Sequence, residues 1–186
     1  SLITSREYVP VQNHFGGFVY AGGTMAFTAG YWALGALKPD IIAYLGCDMI
    51  YPEEKDKESH FYGHGQADPL RSDVTLQSLE AKSIRLMALA QKNHCVMVNL
   101  SELPESRLQF PRAPAERFLL KTSPPIISDE YKMQLDERAV SNALQAEKEL
   151  GCMVTSGRYW EVAEHLDAKK LSAIDALWID SVLAKK

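Results

Sequence analysis

Cysteine, long apolar runs and net positive charge are all scarce in this chain, and each shortage removes a class of protein. The three cysteines, Cys47, Cys95 and Cys152, are too widely spaced for a C-x-x-C metal or redox motif, and an odd number excludes a complete disulfide framework. A reducing, cytoplasmic setting is the expectation. Cys95, in an apolar strand-like run, reads as a small buried hydrophobe, and no thiol chemistry is assigned to Cys47. No apolar stretch approaches the roughly twenty residues that span a bilayer, and residues 1–6 lack signal-peptide architecture. The expected protein is soluble and without a transmembrane segment, with association at a membrane edge left open. Lys and Arg number nine against twelve Asp and Glu over residues 1–111, and eleven against twelve over residues 112–186. Neither part offers the concentrated positive face that neutralises phosphates along a polynucleotide, so nucleic acid is not an expected partner.

What the chain does have is a 46% hydrophobic content spread over 186 residues, enough for a core. Its pattern alternates. Residues 1–4 and 18–21 are short β-prone runs, separated by a stretch with Pro10, Gly16 and Gly17 that reads as a turn-rich loop. Residues 24–37 are apolar nearly all round, opened by Gly22-Gly23 and stopped by Lys38-Pro39, the signature of a buried helix. Residues 41–45 form a continuous apolar run of strand length, as expected where helices cover both faces of a parallel strand. Residues 73–93 return to helical spacing, and residues 95–99 make another buried strand. The order β, α, β, loop, α, β predicts an α/β fold with a Rossmann-like parallel sheet flanked by helices, in which ligands bind outside the carboxyl ends of the strands.

Three regions are expected: a Rossmann-like nucleotide-sugar-binding region over 1–111, a proline-punctuated connector over 112–128, and a helical C-terminal region over 129–186. In the last, residues 129–150 end at Gly151, and residues 159–166 keep an i, i+3, i+4, i+7 stripe. Ser172-Ala173-Ile174-Asp175 reads as a capping box opening a helix that faces inward through Ile174, Leu177, Trp178 and Val182. These helices could cover the sheet, a second copy of the chain in a homo-oligomer, or a further part of the protein.

Chemistry-bearing residues gather at the predicted strand ends. Gly22, Gly23 and Thr24, before the buried helix, can offer bare N–H groups, a hydroxyl and the positive helix end to an anion, though a glycine pair also serves as a tight turn. Asp48 closes the strand of residues 41–45, and Tyr51 could donate a hydrogen bond to a phosphate; a cap and a packed loop aromatic are the bland alternatives. Ser59-His60-Phe61-Tyr62-Gly63-His64-Gly65 sets two histidines four apart. An imidazole there could activate a hydroxyl at neutral pH. Gly63 and Gly65 argue against the helix that a zinc pair would need, and no metal site is assigned.

Taken together, Gly22-Gly23-Thr24 before an Ala-rich helix, Tyr44-Leu45-Gly46-Cys47-Asp48 with Tyr51 beyond, and Ser59-His60-Phe61-Tyr62-Gly63-His64 resemble the bacterial sialyltransferases of glycosyltransferase family forty-two over residues 1–110. The Ser-His-Tyr-x-Gly-His-like segment is the sharpest part of the match. The resemblance implies inverting, metal-independent transfer of sialic acid or a related sugar from a cytidine-monophosphate (CMP) donor to a glycan hydroxyl. No cofactor is implied; the nucleotide sugar and the glycan acceptor are the partners. It further implies His60 as general base, Tyr51 on the leaving phosphate, and Gly22, Gly23, Thr24, Asp48, Ser59, Tyr62 and His64 around the substrates. The charged residues 53–58 lie where the family has a mobile lid. Aligning on Gly46-x-Asp48 shifts Tyr44 by one residue from the family's strand tyrosine, which turns it to the opposite face. Nothing here matches the family's first nucleotide-gripping turn, as in the later portion of a longer polypeptide. A pterin diphosphokinase-like, magnesium- and ATP-dependent transferase and a non-catalytic α/β scaffold are the alternatives from other classes.

Overall fold

A computed structural model describes residues 4–50, 78–118 and 129–183. The first element corrects the expectation of a loop: residues Ser5–His14 form a helix, α1, with Pro10 inside it. Proline removes one backbone donor and ordinarily costs a helix about 3 kcal/mol. Here the Thr4 N–H donates to the Glu7 carboxylate at 2.8 Å, satisfying the helix start. Tertiary contacts hold the other end, where Gln12 donates to the Thr28 carbonyl and Asn13 to that of Thr155, both at 2.8 Å.

Residues Phe18–Ala21 are likewise not a strand but a single helical turn, α2. Their β-prone side chains are overridden by burial, since Val19, Tyr20 and Ala21 are all in the interior. No described strand therefore precedes the first long apolar helix. That helix, α3 (Met25–Trp32), continues into a wider turn over Ala33–Leu37 and stops where Lys38 turns left-handed ahead of Pro39.

Strand β1 (Ile41–Tyr44) pairs in parallel with β2 (Val96–Asn99), Ile41 opposite Val96 and Tyr44 opposite Asn99. Helix α4 (Leu79–Lys92), capped by the Ser78 hydroxyl, supplies the return connection to β2. Beyond β2 the chain returns to meet its end in a single parallel bridge at Arg112: Asn99 N–H donates to the Pro111 carbonyl at 2.9 Å, and Ala113 N–H to that of Asn99 at 3.1 Å. Among the described residues the sheet has two strands, so the fold is mixed α/β with six helices and a small parallel sheet. The expectation that β1 is covered on both faces is corrected too. Every residue of β2 is buried, but Ile41 and Ile42 are half-buried and Ala43 is exposed. One glycine decides how closely α3 approaches the sheet: a Cβ on Gly30 would lie 2.0 Å from the Tyr44 hydroxyl oxygen.

Helix α4 is the centre of the molecule. On one side α3, β1 and β2 form a core around Phe27, Tyr31, Leu86, Met87 and Val98. On the other, α5 (Glu137–Leu150) and α6 (Ala168–Asp180) pack with α2 around Ile84, Ala88, Ala143 and Trp178. Helix α5 ends at left-handed Gly151, as its sequence predicts, but starts at Glu137 instead of residue 129, because the Asp136 carboxylate caps it by accepting from the N–H groups of Arg138 and Ala139. Helix α6 does not open at Ser172. Its cap lies five residues earlier, where the Asp167 carboxylate accepts from the N–H groups of Lys169 and Lys170. Its buried stripe is Leu171, Ile174 and Trp178, while Leu177 and Val182 each remain 37% exposed. Residues 159–166 are not one α-helix but two short 3-10 turns, Tyr159–Glu161 and Ala163–His165, interrupted at Val162, whose φ of −121° and ψ of 9° are neither helical nor extended.

Candidate site at the strand ends

Parallel pairing sets the carboxyl ends of β1 and β2 side by side, and α3 runs back against them. The Tyr44 hydroxyl, at the end of β1, donates to the Ala26 carbonyl in the first turn of α3 at 3.0 Å. The start of α3 is thereby tied to the strand end. Gly23 takes a left-handed φ of 99° just before it, and the Thr24 hydroxyl accepts from the Phe27 N–H at 3.2 Å. Thr24 is thus a helix cap, which leaves the Met25 and Ala26 N–H groups as the first-turn donors with no partner inside the helix. Met25 is 81% exposed, so this helix start faces outward. Gly22 approaches the backbone closely, since a Cβ there would meet the Phe18 carbonyl oxygen at 2.6 Å.

Asp48 lies four residues beyond Tyr44. Its carbonyl accepts from the Arg107 N–H at 2.9 Å, and one carboxylate oxygen, Oδ1, is buried without a hydrogen-bond partner among the described residues. A buried carboxylate oxygen left unpaired is costly, so this atom is the polar group at the strand end that most needs a donor. Met49, beside it, is buried in a left-handed conformation with φ of 57°. Arg107 grips Glu80 with two bonds, at 2.6 and 3.0 Å. Burial works against the Glu80 charge, but Arg107 outweighs it and holds the carboxyl below its usual range. Burial, reinforced by Asp48, pushes the Cys47 thiol up, away from thiolate chemistry. Tyr44, set aside on sequence grounds, is a packing residue here: burial also pushes its phenol up, and its hydroxyl is committed to α3.

Gly22, Gly23 and Thr24 thus stand at the start of α3, tied to Tyr44 through the Ala26 carbonyl, while Asp48, beyond the end of β1, is held through its own carbonyl by Arg107. Tyr51, Ser59, His60, Tyr62 and His64, together with the lid expected over residues 53–58, lie outside the described residues. Among the described residues, no three His, Cys, Asp or Glu side chains are grouped to hold a metal ion, and no helix is long and apolar enough to cross a membrane.

Sequence reasoning missed the most highly connected polar group of the fold. Arg85 on α4 bonds both carboxylate oxygens of Glu147 on α5, at 2.7 and 2.8 Å, the Tyr31 hydroxyl at 2.7 Å and the Phe15 carbonyl at 2.7 Å. Trp178 of α6 donates to the same carboxylate at 2.8 Å, and the Tyr20 hydroxyl to the Glu147 carbonyl at 3.1 Å. The one trace in sequence is an arginine between Ile84 and Leu86, where a helix facing a core on both sides has no room for a solvated charge.

No family model matches the chain, and neither a curated protein nor a solved structure is found to be similar to it.

Proposed function

We propose that the chain is a sialyltransferase-like glycosyltransferase that moves a sugar from a CMP donor to a glycan hydroxyl. What supports the reading is that the start of α3, with Gly23 and Thr24, is tied to Tyr44 at the carboxyl end of β1, and that Asp48 follows that strand end in the chain, ahead of the His60 motif in sequence. In this reading the outward-facing start of α3 receives the donor phosphate through the Met25 and Ala26 N–H groups. Asp48 accepts from a donor hydroxyl, which would satisfy its unpaired oxygen.

The reaction needs one proton acceptor and one stabilised leaving group. The His60 imidazole takes the proton of the acceptor hydroxyl as that oxygen bonds to the anomeric carbon. The bond from that carbon to the phosphate oxygen breaks on the opposite side, inverting the centre, and Tyr51 donates to the departing CMP. No covalent enzyme intermediate and no metal enter the scheme.

Substituting His60→Ala should lower kcat for transfer by about 100-fold or more while leaving donor affinity and the melting temperature nearly unchanged. Transfer by the wild-type chain should persist in a chelator. Undiminished turnover in the variant would remove the base, and nucleotide binding that requires magnesium would point to diphosphate transfer instead.

A further inference from the structure

At the opposite end of α4 from Glu80 and Arg107, a cleft of about 540 Å³ opens between the end of α1, α2 and the last turns of α4 and α5. Its volume falls in the range of small-molecule sites. Phe15, Leu89, Leu144 and Met153 give it apolar walls. Its lining carries Arg85, Lys92 and Lys148 against the carboxylate of Glu147. Lys92 and Lys148 line it without a carboxylate partner among the described residues, and His14 lines it beside them. Among the described residues the single carboxylate in its lining is Glu147, already held by two bonds from Arg85 and one from Trp178. Lys92 and Lys148 also stand in the final turns of their helices, where a cation offsets the helix dipole. That accounts for their presence on those helices, but not for their convergence on one apolar cleft.

We infer that this cleft is a binding site for a small organic anion with an apolar body, its carboxylate or phosphate set between Lys92 and Lys148 and its body against Phe15, Leu89 and Leu144. The chemistry is complementary in both parts. Desolvating an apolar body supplies affinity, and the two ammonium groups, exposed where their residues line the cleft, select the sign of the ligand's charge. The site is independent of the strand-end reading, because it shares no residue with it.

The full chain would be titrated with decanoate, 1-naphthyl phosphate and naphthalene-1-sulfonate, with decanol and decyltrimethylammonium as neutral and cationic counterparts. Binding would be read by thermal shift and calorimetry. At least one anion is expected to bind and raise the melting temperature. The exposed pair Lys92→Glu with Lys148→Glu should weaken that anion about tenfold or more with near-UV circular dichroism unchanged. Failure of all three anions to bind would overturn the proposal. So would equal affinity for decanol or full affinity in the double variant.

Discussion

Arg85 and Glu147 are 3% and 5% exposed, so neither charge can be hydrated and each depends on the other. Burial works against the arginine's charge, but Tyr31 and Glu147 more than offset it and hold the guanidinium firmly protonated. Burial in turn pushes the Tyr31 phenol up to about 12, with Arg85 opposing. A buried pair of this kind adds little over apolar residues of equal volume, but breaking it strands a charge. Arg85→Met should therefore cost about 3–5 kcal/mol, and adding Glu147→Leu should recover a large part of that loss. Urea unfolding of the single and double variants measures it; a double variant no more stable than Arg85→Met would refute the account. Neither residue could be singled out beforehand. They are 62 positions apart, and each sits in a helical pattern that reads the same whether its charge faces water or a partner.

At the level of single elements, local signals succeeded where the stop or start was backbone chemistry. Gly151 ends α5, and Lys38-Pro39 ends the turn after α3. They failed where two candidates competed. Ser172 and Asp167 both carry cap-forming side chains, and Asp167 wins because starting there adds buried Leu171 to the face of α6. Asp167→Ala should cost about 1 kcal/mol, whereas Ser172→Ala, in an exposed helical position, should change stability by less than about 0.5 kcal/mol. Chemical denaturation separates the two, and the reverse order would restore the later start. Pro10 misled in the same way: a helix that is tied down at both ends by Glu7, Gln12 and Asn13 tolerates a proline that would break it in isolation.

Across the whole molecule, the packing of α6 on α4 carries a pH dependence. Asp175 of α6 is pushed up to about 6, first by burial; Lys82 of α4 lowers it, and Glu147 of α5 and Glu80 of α4 raise it further. An unfolded Asp titrates near about 3.9, so between about pH 4 and pH 6 the folded chain holds a proton that the unfolded chain has released. The Asp175 contribution to stability is therefore greatest at the acid end and falls through that window, by on the order of 2 kcal/mol. Unfolding free energies measured from pH 4 to 7 should show a shallower decline in Asp175→Asn than in the wild type. Parallel profiles would mean that Asp175 titrates normally.

The alternation of buried helix and apolar strand and the parallel sense of β1 and β2 were legible in the chain alone. Each follows from local hydrophobic period and from the short geometry of an α/β crossover. The helical state of residues 5–14 and 18–21, the single-faced cover of β1, the charge clamp at Arg85 and the cationic cleft were decided only by tertiary packing. In each of these the deciding neighbour is distant in sequence, and burial against it outweighs the weak conformational preference of the residues themselves.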